Sequence, residues 1–155
     1  MKKYMSLFFW IVALLFLGNL SAYMKSSQSN LWYAALHKSS LTPPSIAFPI
    51  AWTLLYIMVA IVGWMIWKDA FYANFRKEKI LYLLQLAVNF CWMPIFFYFH
   101  SLALSFFVIA LLSFLVGWLL ISLFFKHPLS SFLLWPYFIW VVFAGYLNYF
   151  IWMNN

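Results

Sequence analysis

Charge is scarce in this chain, and acid is nearly absent. Among 155 residues there are nine Lys or Arg and two acids, Asp69 and Glu78. Charged residues are 7% of the total, against about 25% in a soluble domain. Such a chain cannot cover a water-facing surface, so a soluble enzyme is excluded. Nucleic-acid binding is excluded too: the formal charge of +7 comes from cations at the ends of apolar runs, where they set topology and meet anionic lipid. With both acids expected in one loop, no predicted span carries an interior charge. That removes paired carboxylates and hydrolytic triads, and argues against a transporter driven by a buried carboxylate. Cys91 is the single cysteine, which excludes an intrachain disulfide and a cysteine metal site. Four scattered glycines leave no phosphate-cradling loop. Of the three histidines, His37 and His100 fall on one predicted side and form a weak candidate pair for a metal or haem; polar anchoring is the plainer reading.

What is present is apolar and aromatic: 68% hydrophobic and 25% aromatic residues, with a mean hydropathy of +0.96. The chain reads as an all-α membrane protein, a single domain over 1–155 built as a five-transmembrane-helix bundle. The helices are expected at roughly 5–24, 43–67, 80–99, 103–125 and 129–153, with an outer loop at 25–42. The uncharged run from Pro44 to Trp67 would span about 36 Å as a helix at ~1.5 Å per residue, enough to cross a ~30 Å hydrocarbon core. Thr42 can cap it and Pro43 suits its first turn. Pro49, inside the run, predicts a kink. Trp52 and Tyr56 follow on the face of Pro49, as one wall of a pocket or as packing and belt aromatics. The N-terminal run, from Tyr4 to Met24, is too long for a signal-peptide core and lacks its cleavage pattern.

Within 25–42, Leu31, Trp32, Ala35 and Leu36 suit a short amphipathic helix docked on the bundle. On the third helix Gln85, Asn89, Trp92 and Phe96 share a face; intramembrane amides usually bond across helices. Pro94 predicts a second kink, and Ala87 with Cys91 would suit a homodimer seam. The fourth helix, rich in Leu and Phe, reads as lipid-facing filler. On the fifth, Pro136 lies near Trp135, Tyr137 and Trp140, and Trp140, Ala144, Leu147 and Ile151 share a face beside Phe143 and Asn148. Lys2, Lys3, Lys68, Arg76, Lys77, Lys79 and Lys126 fall on one side, Lys25 and Lys38 on the other. Seven against two places the N-terminus in the cytoplasm. The residues alone lead to a membrane-embedded binder of a flat, apolar, aromatic molecule.

The pattern becomes specific in four ordered segments: Pro43-Pro44 with Trp52, Tyr56 and Trp67-Lys68; WYAALHK at 32–38; QLAVNFCWMPIFF at 85–97; and WPYFIWVVFAGYLNYFIW at 135–152. Together they resemble the tryptophan-rich sensory protein and translocator protein family (TspO/MBR, the peripheral benzodiazepine receptor family) over residues 30–153. The resemblance implies a bundle, often dimeric, with a pocket opening toward the first loop. Its ligands would be tetrapyrroles such as protoporphyrin IX, sterols and synthetic aromatic drugs, with no cofactor required. The implied pocket residues are Pro49, Trp52, Tyr56, Asn89, Trp92, Trp140, Phe143, Ala144 and Leu147, under a lid carrying Trp32 and Lys38. Lys38 and Lys25 would pair with porphyrin propionates. The resemblance also implies a candidate activity, light-dependent porphyrin breakdown, in which Trp52 and Trp140 would act.

Three departures stand out. The family's K-P-x-W lid element is Lys38-Ser39-Ser40-Leu41 here, Leu104 stands where animal members carry a pocket Trp, and no Lys or Arg follows Leu147 and Tyr149 to complete the sterol motif. Tetrapyrrole binding is therefore favoured over sterol binding. The rivals are the degrading enzyme and a membrane interaction protein with no small ligand. The expected location is a bacterial inner membrane.

Overall fold

A computed structural model of the chain describes residues 2–23, 27–68 and 74–155. The fold is all-helical, with α1 Lys2–Tyr23, α2 Ser27–Ala35, α3 Ala47–Lys68, α4 Arg76–Phe97, α5 Leu102–Lys126 and α6 Pro128–Asn154. Among the described residues, α3, α4, α5 and α6 are each long and apolar enough to cross a membrane, and α1 contributes a shorter apolar stretch, Met5–Leu20. Their outer faces are ringed with exposed Phe, Leu and Ile, as expected where lipid replaces water. The expected cations Lys25 and the acid Asp69 lie outside the described residues.

The long helices close into a ring. α3 lies between α1 and α6, α6 packs on α5, α5 on α4, and α4 returns against α1 and α3. Helix association in lipid relies on close packing more than on exclusion of water, and two glycines show it. A Cβ on Gly18 would stand 2.5 Å from the Tyr56 ring, and one on Gly63 would collide with the Tyr82 phenol. Each glycine lets a tyrosine of a neighbouring helix lie against its backbone.

Several expectations need correction. α3 begins at Ala47, not Pro43, because the Pro43-Pro44 pair closes as a turn in which the Ala47 N–H donates to the Pro44 carbonyl at 2.9 Å. Pro49 is thereby the third residue of the helix. Its missing N–H is one that would have no helical partner anyway, so it starts the helix instead of kinking it. Thr42 caps nothing; its buried hydroxyl has no partner. α4 starts before the expected residue 80, which draws Glu78 out of the loop and into the first helical turn, fully buried. A charge therefore does sit inside an apolar helix. It is tolerated because Lys126 approaches the same carboxylate oxygen at 2.9 Å and the Ser122 hydroxyl donates to it. α5 is more than filler: Ile109, Leu112, Val116, Leu119 and Leu123 are all buried, and only its opposite face looks outward.

α2 forms where the amphipathic spacing placed it. Trp32, Tyr33 and Leu36 pack on Phe96, Phe97 and Ile151, closing the end of the bundle opposite the cluster of Arg76, Lys77 and Lys126. Burial raises the Tyr33 hydroxyl above its ordinary pKa, so it is neutral throughout the neutral range.

Candidate functional site: an aromatic and polar core between α3, α4 and α6

Three helices bring most of the expected site residues together. On α3, the i to i+4 spacing stacks Trp52 on Tyr56, with ring centroids 5.4 Å apart. Tyr56 in turn stacks on Phe90 of α4 at 5.8 Å. Trp52 also meets the edge of Tyr137 of α6 at 6.4 Å. One turn further along α6, Trp140 contacts Phe48 of α3 and its own neighbour Phe143, with centroids at 6.0 and 5.9 Å. Ala144 and Leu147 are buried below it. The result is a wall of rings supplied by three helices, with offset and edge contacts of the kind aromatic pairs prefer.

A chain of hydrogen bonds runs through this wall. The Tyr56 hydroxyl donates to Asn89 Oδ1 at 2.8 Å. Asn89 Nδ2 donates to the Tyr137 oxygen at 3.0 Å. The Tyr137 hydroxyl donates to Gln85 Oε1 at 2.8 Å. Each bond polarises the next, and in a low-dielectric interior such a chain fixes the relative positions of its helices. Tyr137 and Gln85 were not among the expected site residues. The signal was in the spacing: Gln85 lies one turn before Asn89, and Tyr137 lies three residues before Trp140.

Three buried donors in this region have no acceptor: the indole N–H groups of Trp92 and Trp140, and Gln85 Nε2. A buried donor without a partner costs roughly 1–3 kcal/mol, so three within one group of helices is a local surplus. Elsewhere the membrane-depth polar groups are largely used. Ser105 lies 3.0 Å from Asn148 Oδ1, Ser131 donates to the Leu120 carbonyl at 3.0 Å, and Tyr82 donates to the Val59 carbonyl at 2.9 Å.

Trp92 links the core to α2 through Phe96. It stacks on Phe96 at 5.4 Å, and Phe96 receives the edges of Trp32 and Tyr33 at 5.4 and 6.0 Å. The Trp32 indole also stacks on His100 at 4.1 Å. His100 occupies the tight turn after α4 with a positive φ of 50°. The strand of chain after α2 is tied to α6: the His37 N–H donates to Asn155 Oδ1 at 2.8 Å, Asn155 Nδ2 donates to the His37 carbonyl at 3.1 Å, and Ser39 Oγ lies 3.1 Å from the Tyr146 hydroxyl. Lys38 donates to the carbonyls of Tyr33, Ala34 and Leu36 at 2.8 to 3.1 Å, capping the C-terminus of α2 as a cation does favourably.

Other expected positions lie apart. Pro49 is exposed on α3, Leu104 is exposed on α5, and Ala87 and Cys91 face outward on α4. His37 and His100 are engaged in different contacts, and among the described residues no three His, Cys, Asp or Glu side chains gather as metal ligands.

The sequence matches the TspO/MBR family model over residues 9–153. It is 34% identical over 145 residues to the tryptophan-rich protein TspO of Archaeoglobus fulgidus, covering 94% of each chain. It is 37% identical over 131 residues to protein CrtK of Rhodobacter capsulatus, covering 80% of this chain and 78% of that one. To the translocator protein of Sus scrofa it is 33% identical over 128 residues, covering 80% and 75%. By the extent of the family match and by relatives that align with 80% or more of its length, the chain belongs to the TspO/MBR family.

Proposed function

We propose that this protein spans a bacterial inner membrane five times, with its N-terminus in the cytoplasm, and binds tetrapyrroles such as protoporphyrin IX between α3, α4 and α6. The role would be porphyrin sensing, trafficking or clearance. The observation that carries the reading is the surplus of unpartnered buried donors, Trp92 Nε1, Trp140 Nε1 and Gln85 Nε2, beside stacked rings. A planar aromatic ligand with peripheral acceptors suits both features: the rings supply area and the donors fix orientation. The Asn89-centred hydrogen-bond chain would hold the wall rigid while a ligand exchanges.

Entry would run through the α2 lid. Its ties to the bundle include the Trp32–His100 stack, the ring contacts to Phe96 and Phe97, the His37–Asn155 bonds and the Ser39–Tyr146 contact, all made by side chains or by the segment after α2 and none by the backbone ladders of the long helices. Opening would also release Lys38 from the C-terminus of α2 to meet a propionate.

A dark titration of the purified full chain with protoporphyrin IX tests the reading, following tryptophan quenching and the porphyrin absorbance band against empty micelles. Saturable, stoichiometric quenching is expected. Uptake that only parallels micelle partitioning overturns it. Illumination of the saturated complex then separates a binder from a degrading enzyme: a binder leaves the porphyrin band bleaching no faster than in micelles.

A further inference from the structure

The opposite end of the molecule carries a second feature with its own chemistry. There a surface groove of about 550 Å³ runs along the α4–α5 seam. Its rim carries Arg76, Lys77 and Lys126, and its wall descends through Leu84, Leu115 and Trp118. From Arg76 to Ile80, the first apolar residue of the α4 lining, is about 6 Å along the helix at ~1.5 Å per residue. The lining therefore changes from cationic to apolar over the thickness of one headgroup layer, about 5–7 Å. A smaller groove of about 380 Å³, lined by Phe114, Gly117, Trp118 and Ile121, shares Trp118 and continues the apolar track along α5.

The charge balance at the rim favours an anion. Lys126 is satisfied by Glu78, which is buried behind it. Arg76 and Lys77 are exposed, and among the described residues neither pairs with a carboxylate. The Lys77 ammonium lies 5.1 Å above the Trp118 ring, which holds the cation over the apolar wall. Two positive charges remain at the mouth of an otherwise apolar slot.

We propose that this α4–α5 groove is a binding site for an anionic phospholipid, its phosphate at Arg76 and Lys77 and one acyl chain lying past Trp118 along α5. A zwitterionic lipid fits less well, because its cationic headgroup would meet the same two cations with no exposed carboxylate among the described residues lining the groove to receive it. Free phosphate would gain the rim but leave the apolar wall unused. The site is separate from the proposed tetrapyrrole pocket. Arg76 and Trp92 are about 24 Å apart along α4 at ~1.5 Å per residue.

Native mass spectrometry of the full chain, released from nanodiscs of equimolar phosphatidylglycerol and phosphatidylcholine, tests the proposal. Phosphatidylglycerol adducts are expected to dominate. The Arg76→Gln/Lys77→Gln double variant should lose that preference, by about fivefold for each cation removed, from the ~1 kcal/mol each contributes near a membrane surface. Lys79→Gln is the control, because Lys79 lies over Trp67 at 5.3 Å, away from the groove; it should retain the preference. If the double variant does not fold, Arg76→Gln alone supplies the comparison at one exposed position. Adducts without headgroup preference, a preference that survives the double variant, or displacement of the lipid by equimolar glycerol phosphate would each overturn the proposal.

Discussion

The two halves of the bundle use tyrosine in opposite ways. In the half nearer the basic end, Tyr82 is wedged against Gly63, its ring held by Trp10 and Trp67 at 5.8 and 5.7 Å, and its hydroxyl spent on the Val59 carbonyl at 2.9 Å. In the half beneath the lid, Tyr56 and Tyr137 bond only to side-chain amides, and the group ends in donors with nothing to bind. Both regions are aromatic and buried. Both tyrosine rings lie close against a glycine, Tyr82 on Gly63 and Tyr56 on Gly18. In the first the hydroxyl is spent on a backbone carbonyl; in the second a side-chain network ends beside donors that have no acceptor. The structural core and the proposed ligand site differ in unspent donors more than in composition.

Substitutions can break that contrast in graded steps. The largest effect is expected from Gly63→Val. It forces a branched side chain into the Tyr82 phenol and Trp10, and overpacking of this kind costs about 1–3 kcal/mol. The thermal midpoint in detergent should fall clearly, while porphyrin affinity of the folded fraction stays unchanged. Asn89→Leu comes next. It strands the Tyr56 hydroxyl, a buried donor that costs roughly 1–3 kcal/mol without a partner, while the Tyr137 hydroxyl keeps its bond to Gln85; here both stability and porphyrin affinity should drop, because the network underlies the proposed site. Tyr82→Phe removes a single hydrogen bond of about 1 kcal/mol and should lower the midpoint modestly without touching binding. The smallest effect is expected from Lys38→Met. It uncaps α2 at a cost of about 0.3–1 kcal/mol, read as faster hydrogen exchange in residues 31–36 with the long helices unaltered. A Gly63→Val protein that loses binding while remaining folded would erase the distinction between the two halves.

The long helices were legible in the sequence because apolar length and flanking cations dictate them. α5 and α6 lie within a residue of their expected limits. The shared faces of Gln85, Asn89 and Phe96, and of Ala144, Leu147 and Ile151, are buried as their spacing required. The ends of α3 and α4 were less legible, since they depend on partners distant in sequence. Pro49 looked like an interior kink until the Pro43-Pro44 turn moved the start of α3 to Ala47. Glu78 looked like a loop residue because Ser122 and Lys126, which make its burial tolerable, lie far along the chain on α5. The same holds for the site. Trp52, Tyr56, Asn89 and Trp140 could be named from spacing and family resemblance. The role of Tyr137 as the junction between Asn89 and Gln85 required three helices to be placed together.

The most direct test of the outer aromatic region as a ligand site is a dark protoporphyrin IX titration of the full chain beside its Trp52→Phe/Trp140→Phe variant. Phenylalanine keeps a ring but shrinks the stacking surface and removes the Trp140 N–H, so loss of about 1 kcal/mol at each position predicts saturable binding weakened about tenfold or more. An unchanged affinity in a folded double variant would contradict a tetrapyrrole site between α3, α4 and α6.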